Sequence, residues 1–435
     1  MTMQYVEEAP TRGASRVGPW LKDKLLMGQP LKEYARGMIT PLNVAAALLI
    51  GVALYLLVLR FTRGLAAVTS ASNEQPWGLF LSCGLFAGVP LSATGFVLGS
   101  AVYLFGMKDY HPVVKNAILL GLLGYFFAVV FLLIDLGRPW RIYYPMVVSF
   151  GPGSVMFLVA WHVALYLSVQ FLEFSPSIFE WLGLRSLKRW AVGLTIGLTI
   201  FGVILSTLHQ SALGAMFLLA PGKLHPLWYS PYLPWLFFVS AIATGLCMVI
   251  VVSALTLRFF ADRADYHYLT SVDRITLGLG KAASFVLLTY FAFKVISVAH
   301  GHNWALLNSS WGYWFLVEVV GFVLIPCVLL AVASREGKVG LVRFGALLTV
   351  MGVILNRLNV SLIAFNWNLP NRELATWQEV TIVVAVFTIE IMTYRWIVNR
   401  MPVLQEHLEY RGSEVAAASQ KAGPRVSTSE VAAGR

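Results

Sequence analysis

Residues 77–104 read WGLFLSCGLFAGVPLSATGFVLGSAVYL, 28 positions without a Lys, Arg, Asp or Glu. A helix needs about 20 mostly apolar residues to cross the hydrocarbon core of a bilayer. This stretch is long enough, and Pro90 within it predicts a bend that neighbouring membrane helices can accommodate. Nine similar runs surround it, at about 40–59, 113–134, 152–171, 190–210, 232–257, 275–299, 312–333, 341–365 and 376–397. The chain of 435 residues is 58% hydrophobic and 12% charged, with a mean hydropathy of +0.72. Soluble domains run at about 45–50% apolar and about 25% charged. The reading is therefore an all-α, polytopic membrane protein: a polar segment at 1–38, ten transmembrane helices within 39–398, and a tail at 399–435 whose Ala/Ser/Glu-rich composition predicts disorder. Residues 1–38 are too polar for a signal peptide.

Ten spans put both termini on one side. Of the 32 Lys and Arg, twenty-four fall in segments on that side. Six fall on the other (Arg60, Arg63, Arg138, Arg141, Lys223 and Arg372), and Lys294 and Arg357 lie inside spans. Lys and Arg concentrate in cytoplasmic loops, so both termini are expected in the cytoplasm. The net charge of +11 then reports topology, and it implies no nucleic-acid partner. The loops reach only about twenty residues, so any soluble redox or catalytic domain must belong to a docked partner.

The chain carries little familiar cofactor chemistry. Cys83, Cys247 and Cys327 lie apart in apolar runs with no CxxC pair, which leaves no iron–sulfur cluster or structural zinc site. No phosphate-binding glycine motif or HExxH occurs. A membrane haem needs two histidines at matched depth on facing helices. Of the eight, His162 falls mid-membrane, His209 falls at the outer end of the fifth run, and the other six fall in loops or tails. No haem and no metal are expected.

Ionisable groups inside spans are costly and usually face a bundle interior or a water-filled cavity. Asp135 ends the third run on the outer side, and His209 with Gln210 ends the fifth. Lys294, Glu318 and Arg357 fall in the outer parts of the seventh, eighth and ninth runs, and Glu379 opens the tenth. His162 and Glu390 fall deeper. Each has a plainer reading. Lys294 or Arg357 with Glu318 forms a structural ion pair as readily as a site. Asp135 and Arg138 suit a helix cap meeting headgroups, and His209 suits a hydrogen-bonded interface histidine. Trp77, Trp140, Trp228, Trp311, Trp314 and Trp377 read as an interfacial belt. The convergence of six helices on one depth favours a site more than any single member does.

In chain order, the segments NEQPWG at 73–78, Tyr110-His111-Pro112, DLGRPW at 135–140, LHQSALG at 208–214, HPLW at 225–228, Glu318, SLIAFN at 361–366 and Trp377-Gln378-Glu379 resemble the NrfD/PsrC family of integral membrane quinone-reactive subunits, in particular its HybB-type branch from nickel–iron hydrogenase. Similar subunits occur in menaquinone reductase complexes. The resemblance implies two up-and-down four-helix bundles, from the second to fifth and sixth to ninth helices, with two flanking helices. It implies a multi-pass protein of the bacterial inner membrane and menaquinone or another quinone as bound substrate. It also implies partners: a periplasmic, ferredoxin-like iron–sulfur subunit and further hydrogenase, molybdopterin or multihaem cytochrome subunits. By motif position Asp135 and His209 would act on the quinone, with Arg138, Trp140 and Gln210 completing its pocket. Lys294, Glu318, Arg357, Glu390 and His162 would carry protons. Leu158 stands where many members carry an acid, so a family proton path through that acid has no counterpart here.

A quinone takes two electrons and two protons, so its carbonyls need a donor or acid and its tail an apolar slot. A secondary transporter is the competing class, but its site belongs at the midplane between paired broken segments. A purely structural anchor leaves the polar cluster unexplained.

Overall fold

Five of the ten apolar runs start where a side chain satisfies the free amides of a first helical turn. Thr40, Ser154, Asp265, Ser309 and Thr376 each accept from the backbone N–H three residues on. The computed structural model describes residues 17–370 and 375–405. Arg12, Arg16, Arg372, His407 and the tail from 406 lie outside the described residues.

Ten helices are long and apolar enough to cross a membrane: α1 (Pro41–Arg63), α2 (Gly78–Leu104), α3 (Lys108–Asp135), α4 (Val155–Leu182), α5 (Arg185–Leu219), α6 (Leu233–Phe259), α7 (Tyr266–His300), α8 (Ser310–Arg335), α9 (Val339–Ile363) and α10 (Trp377–Arg400). Among the described residues the only extended pairing is an isolated antiparallel bridge between Leu224 and Phe365.

Packing follows chain order. α2 packs on α3, α3 on α4, α4 on α5, and α5 returns to α2. α6, α7, α8 and α9 close a second ring in the same way. The rings meet where α6 lies against α2 and α5, and where α9 lies against α2. α1 packs on α10, which also touches α2 and α3. The central helices are consequently the buried ones: 83% of the apolar window of α2 and 78% of that of α6 are covered, against 11% for α1 and 22% for α10. On α1 only Ala53, Leu56 and Arg60 are buried, one stripe at helical spacing.

α2 is not a regular rod. Its turns widen over Ser82–Ala87, break after Pro90 near Ser92 and Ala93, and widen again over Ser100–Leu104. Two missing side chains let α4 approach α2 and α3. A Cβ at Gly95 would stand 2.6 Å from the Gln170 amide nitrogen, and one at Gly121 would stand 2.9 Å from its oxygen. Small residues permit this closeness in membranes, where apolar burial between helices gives no drive.

Gly121→Leu should therefore displace Gln170 and cost about 1–3 kcal/mol by overpacking, read from thermal unfolding of the purified chain in detergent. Gly193→Leu, with nothing within 4 Å of a new Cβ, should leave the transition where it is.

Candidate functional site

The widened turns of α8 and α9 carry the densest polar site. Val317–Leu324 and Asn359–Ile363 are both π-helical turns, a local geometry that re-aims side chains and is frequent at functional sites. The first holds Glu318 and the second Asn359, both wholly buried. Lys294 Nζ (3.1 Å) and Asn356 Nδ2 (2.7 Å) donate to Glu318 Oε1. Trp228 Nε1 (2.7 Å) and Asn359 Nδ2 (2.6 Å) donate to Oε2. A carboxylate offers about four lone-pair sites, and here four donors fill them. Protonating Glu318 would require one of these donors to leave, so its chemistry is that of a fixed anion.

Arg357 sits beside this group without pairing to an acid. It donates to Asn356 Oδ1 (2.8 Å), Ser240 Oγ (2.7 Å) and the Phe237 carbonyl (3.2 Å), and its guanidinium lies 3.6 Å from the Phe237 ring centroid. Lys294 adds ring contacts with Tyr290 and Phe315. Of the expected proton track, Lys294 and Glu318 form a buried ion pair and Arg357 lies beside it, joined through Asn356.

The first ring holds a different arrangement. His209 Nδ1 lies 2.8 Å from the Leu205 carbonyl, an acceptor only, so a neutral ring carries its proton there. Its Nε2 then accepts a short hydrogen bond from Tyr125 OH. Gln210 Nε2 donates to Tyr125 OH (3.4 Å) and to the Val89 carbonyl (3.2 Å). Tyr166 stacks against both rings, 4.6 Å from Tyr125 and 5.4 Å from His209, and its hydroxyl accepts from Gln170. His162 faces this group from α4 and interacts electrostatically with His209, its Nδ1 buried without a partner. The oxygens of Gln170 and Gln210 are likewise unpartnered.

His209 was expected at the outer rim beside Asp135, and the structure separates them. α5 continues to Leu219, so His209 lies inside the ring and pairs with Tyr125. Asp135 closes α3 ten residues beyond Tyr125, about 15 Å of helix at 1.5 Å per residue. The cation that acts on Asp135 is Arg60, with Glu379 the other charge acting on it, whereas Arg138 and Trp140 are exposed. Glu379 itself is a cap: it accepts from Thr376 N, Thr69 Oγ1 and Leu79 N, tying the start of α10 to the start of α2. Glu390 is half-buried in α10, with no hydrogen-bond or ion-pair partner among the described residues.

Several participants escaped the sequence reading. Trp228 is not part of the interfacial belt but a buried donor to Glu318, and Trp77 packs edge-on to Phe86. Glu173 accepts from Thr199 Oγ1 (3.2 Å) and lines a cavity of about 330 Å³ with His111, Lys115 and Lys108. A lone acid between Leu172 and Phe174 was the available signal.

One end of the second ring is closed by loops. His225 N donates to the Ala364 carbonyl (3.0 Å) and Asn366 N to that of Lys223 (2.6 Å). The His225 ring sits among Trp228, Trp311 and Trp367, with centroids at 5.5, 5.3 and 4.8 Å, and its Nδ1 accepts from Leu227 N (3.2 Å). Burial pushes its pKa down to about 4.

No group of three or more His, Cys, Asp or Glu that could hold a metal occurs among the described residues.

The comparisons with known proteins agree with the fold. A family profile described as "Polysulphide reductase, NrfD" matches residues 67–365. A Nitratidesulfovibrio vulgaris protein is 48% identical over 378 residues, covering 86% of this chain and 97% of that protein. The "Probable Ni/Fe-hydrogenase 2 b-type cytochrome subunit" of Escherichia coli is 29% identical, covering 82% and 90%. The "Menaquinone reductase, integral membrane subunit" of N. vulgaris is 26% identical, covering 67% and 73%.

Two outcomes follow from the geometry. Glu318→Gln strips Lys294 of its counter-charge and should cost about 3–5 kcal/mol, seen as lost accumulation or a lowered Tm. A Tm equal to wild type would show that water already reaches the pair. For His225, the folded state disfavours the charged ring. Its stabilising effect is complete above the unfolded value of about 6.5 and is lost as pH falls from there towards about 4. The decline in Tm across that window should be shallower in His225→Phe, which keeps a ring in the tryptophan cage but cannot titrate.

Proposed function

The chain belongs to the NrfD family, and from that premise we propose that it is the quinone-reactive membrane subunit of a multi-subunit respiratory complex. It passes electrons between a redox partner docked on its outer face and the menaquinone pool. The names of its relatives support the assignment, since they include a hydrogenase subunit and a menaquinone reductase membrane subunit. The partner we propose is a periplasmic iron–sulfur subunit, because this chain places no clustered cysteines within reach of a quinone. Both termini lie in the cytoplasm and the protein sits in the bacterial inner membrane, on the distribution of its Lys and Arg.

One observation carries the reading: the hydrogen-bonded Tyr125–His209 pair, buried in a ring whose outer end bears Asp135. A buried titratable pair at membrane depth is costly unless it has work to do. Quinone reduction consumes two electrons and two protons, and the oxidation of quinol releases them. In this scheme Asp135, half-exposed at the outer end, meets the quinone oxygen and exchanges the proton. Tyr125 and His209 form a buried hydrogen-bonded pair about 15 Å deeper in the same ring, with Tyr125 OH donating to Nε2 and so fixing the tautomer and orientation of the imidazole. Gln210 holds the tyrosine oxygen, and His162 adds a second imidazole at the same level. Arg138 and Trp140 stand exposed beside Asp135, where a headgroup or a docking partner meets them. A transporter reading has no comparable support, because the buried charges of the second ring are locked.

General acid–base groups typically contribute 10²–10⁴-fold in rate. In complexes purified from the native membrane, Asp135→Asn and His209→Ala should lower turnover of dimethylnaphthoquinone, a tailless menaquinone analogue, by about that factor per assembled complex. Wild-type turnover in both assembled variants would move the site elsewhere.

A further inference from the structure

Arg60 is the most unusual residue of α1. That helix faces lipid along nearly its whole length, yet Arg60 is only 2% exposed and ends its single buried stripe. A leucine there would continue the stripe at no electrostatic cost. Instead the guanidinium reaches across to the end of α3: Nε donates to the Ile134 carbonyl at 2.5 Å, and a terminal nitrogen donates to the Leu136 carbonyl. These carbonyls belong to the residues on either side of Asp135.

Asp135 has two problems that this fork solves. The last carbonyls of a helix lack intrahelical donors, and in a membrane nothing else supplies them. An acid at a helix C-terminus also faces the negative end of the dipole, where cations are preferred. One arginine meets both needs, because its planar fork presents two fixed donors and a charge that is always present. Glu379, from α10, adds a second negative charge acting on Asp135, which makes the cation more necessary.

We propose that Arg60 is the positioning residue for Asp135. By clamping the peptide groups on both sides it fixes the backbone from which the Asp135 carboxylate projects, and it balances that carboxylate's charge. This rests on the proton-exchanging role assigned to Asp135 above. The effect should appear in kcat rather than KM, since the fork touches backbone and not the quinone.

The test is a double-substitution cycle on the purified complex, with kcat and KM for dimethylnaphthoquinone measured per assembled complex. Arg60→Met should lower kcat by about 10²-fold, the scale of a small misplacement of a reacting group, with KM nearly unchanged. Arg60→Lys, which keeps the charge but not the fork, should fall between Met and wild type. The combined R60M/D135N complex should be no slower than D135N alone, since the clamp has nothing left to position. If R60M fails to accumulate, Arg60→Gln, which retains one donor to the carbonyls, takes its place in the cycle. Wild-type kcat in R60M, or losses that multiply in the double variant, overturns the inference while leaving the role of Asp135 intact. Wild-type kcat in D135N overturns both.

Discussion

A carboxylate out of reach of water must find all its hydrogen bonds inside the protein, and Glu318 finds four. That requirement organises the second ring. Trp228 comes from the loop ahead of α6, Lys294 from α7, and Asn356 and Asn359 from α9, so one side chain draws the whole ring together at one level. The π turns of α8 and α9 are the local adjustment that lets acid and amide face each other. Arg357 completes the arrangement by engaging α6 through Ser240 and Phe237. Replacing such a network with well-packed apolar residues is often neutral or stabilising. Its return is therefore a fixed geometry more than raw stability.

The first ring is built on the opposite principle. Its polar atoms are not saturated: the oxygens of Gln170 and Gln210 and Nδ1 of His162 remain open. Proton exchange needs such spare capacity, because a group with every lone pair occupied has nowhere to receive a proton. Both rings keep some buried polar atoms without a partner, Arg357 Nε and Ser334 Oγ in the second among them; what sets the second apart is that its carboxylate, Glu318, has every acceptor site filled. The proposed quinone chemistry rests on the ring that carries Tyr125, His209 and Asp135.

How much of this was legible in the sequence depends on what hydropathy measures. The ten spans were, since each is an apolar stretch of membrane length. Their ends were not. The fifth run was drawn to 210 and the helix runs to Leu219; the fourth was drawn to 171 and the helix runs to Leu182. A hydropathy reading stops at the first polar residues, whereas a helix continues when a partner satisfies them. That difference put His209 at the end of its helix and left Glu173 beyond the end of its own. Glu318, Lys294 and Arg357 were legible as buried, but saturation is a property of pairings, which a linear reading does not contain. Arg60 was counted as an outer-loop cation for the same reason: its partners lie 74 and 76 residues away.

That distance has a consequence for how the protein is made. α1 leaves the ribosome before α3, and it carries a guanidinium whose carbonyl partners on another helix belong to a span not yet synthesised. At about 5–20 residues per second, several seconds pass before Ile134 and Leu136 emerge. During that interval Arg60 can rest only at the interface, with its stem along the apolar surface and its head in water. α1 must therefore ride shallow or tilted until α3 arrives, and its final seating is a late event of biogenesis rather than an early one.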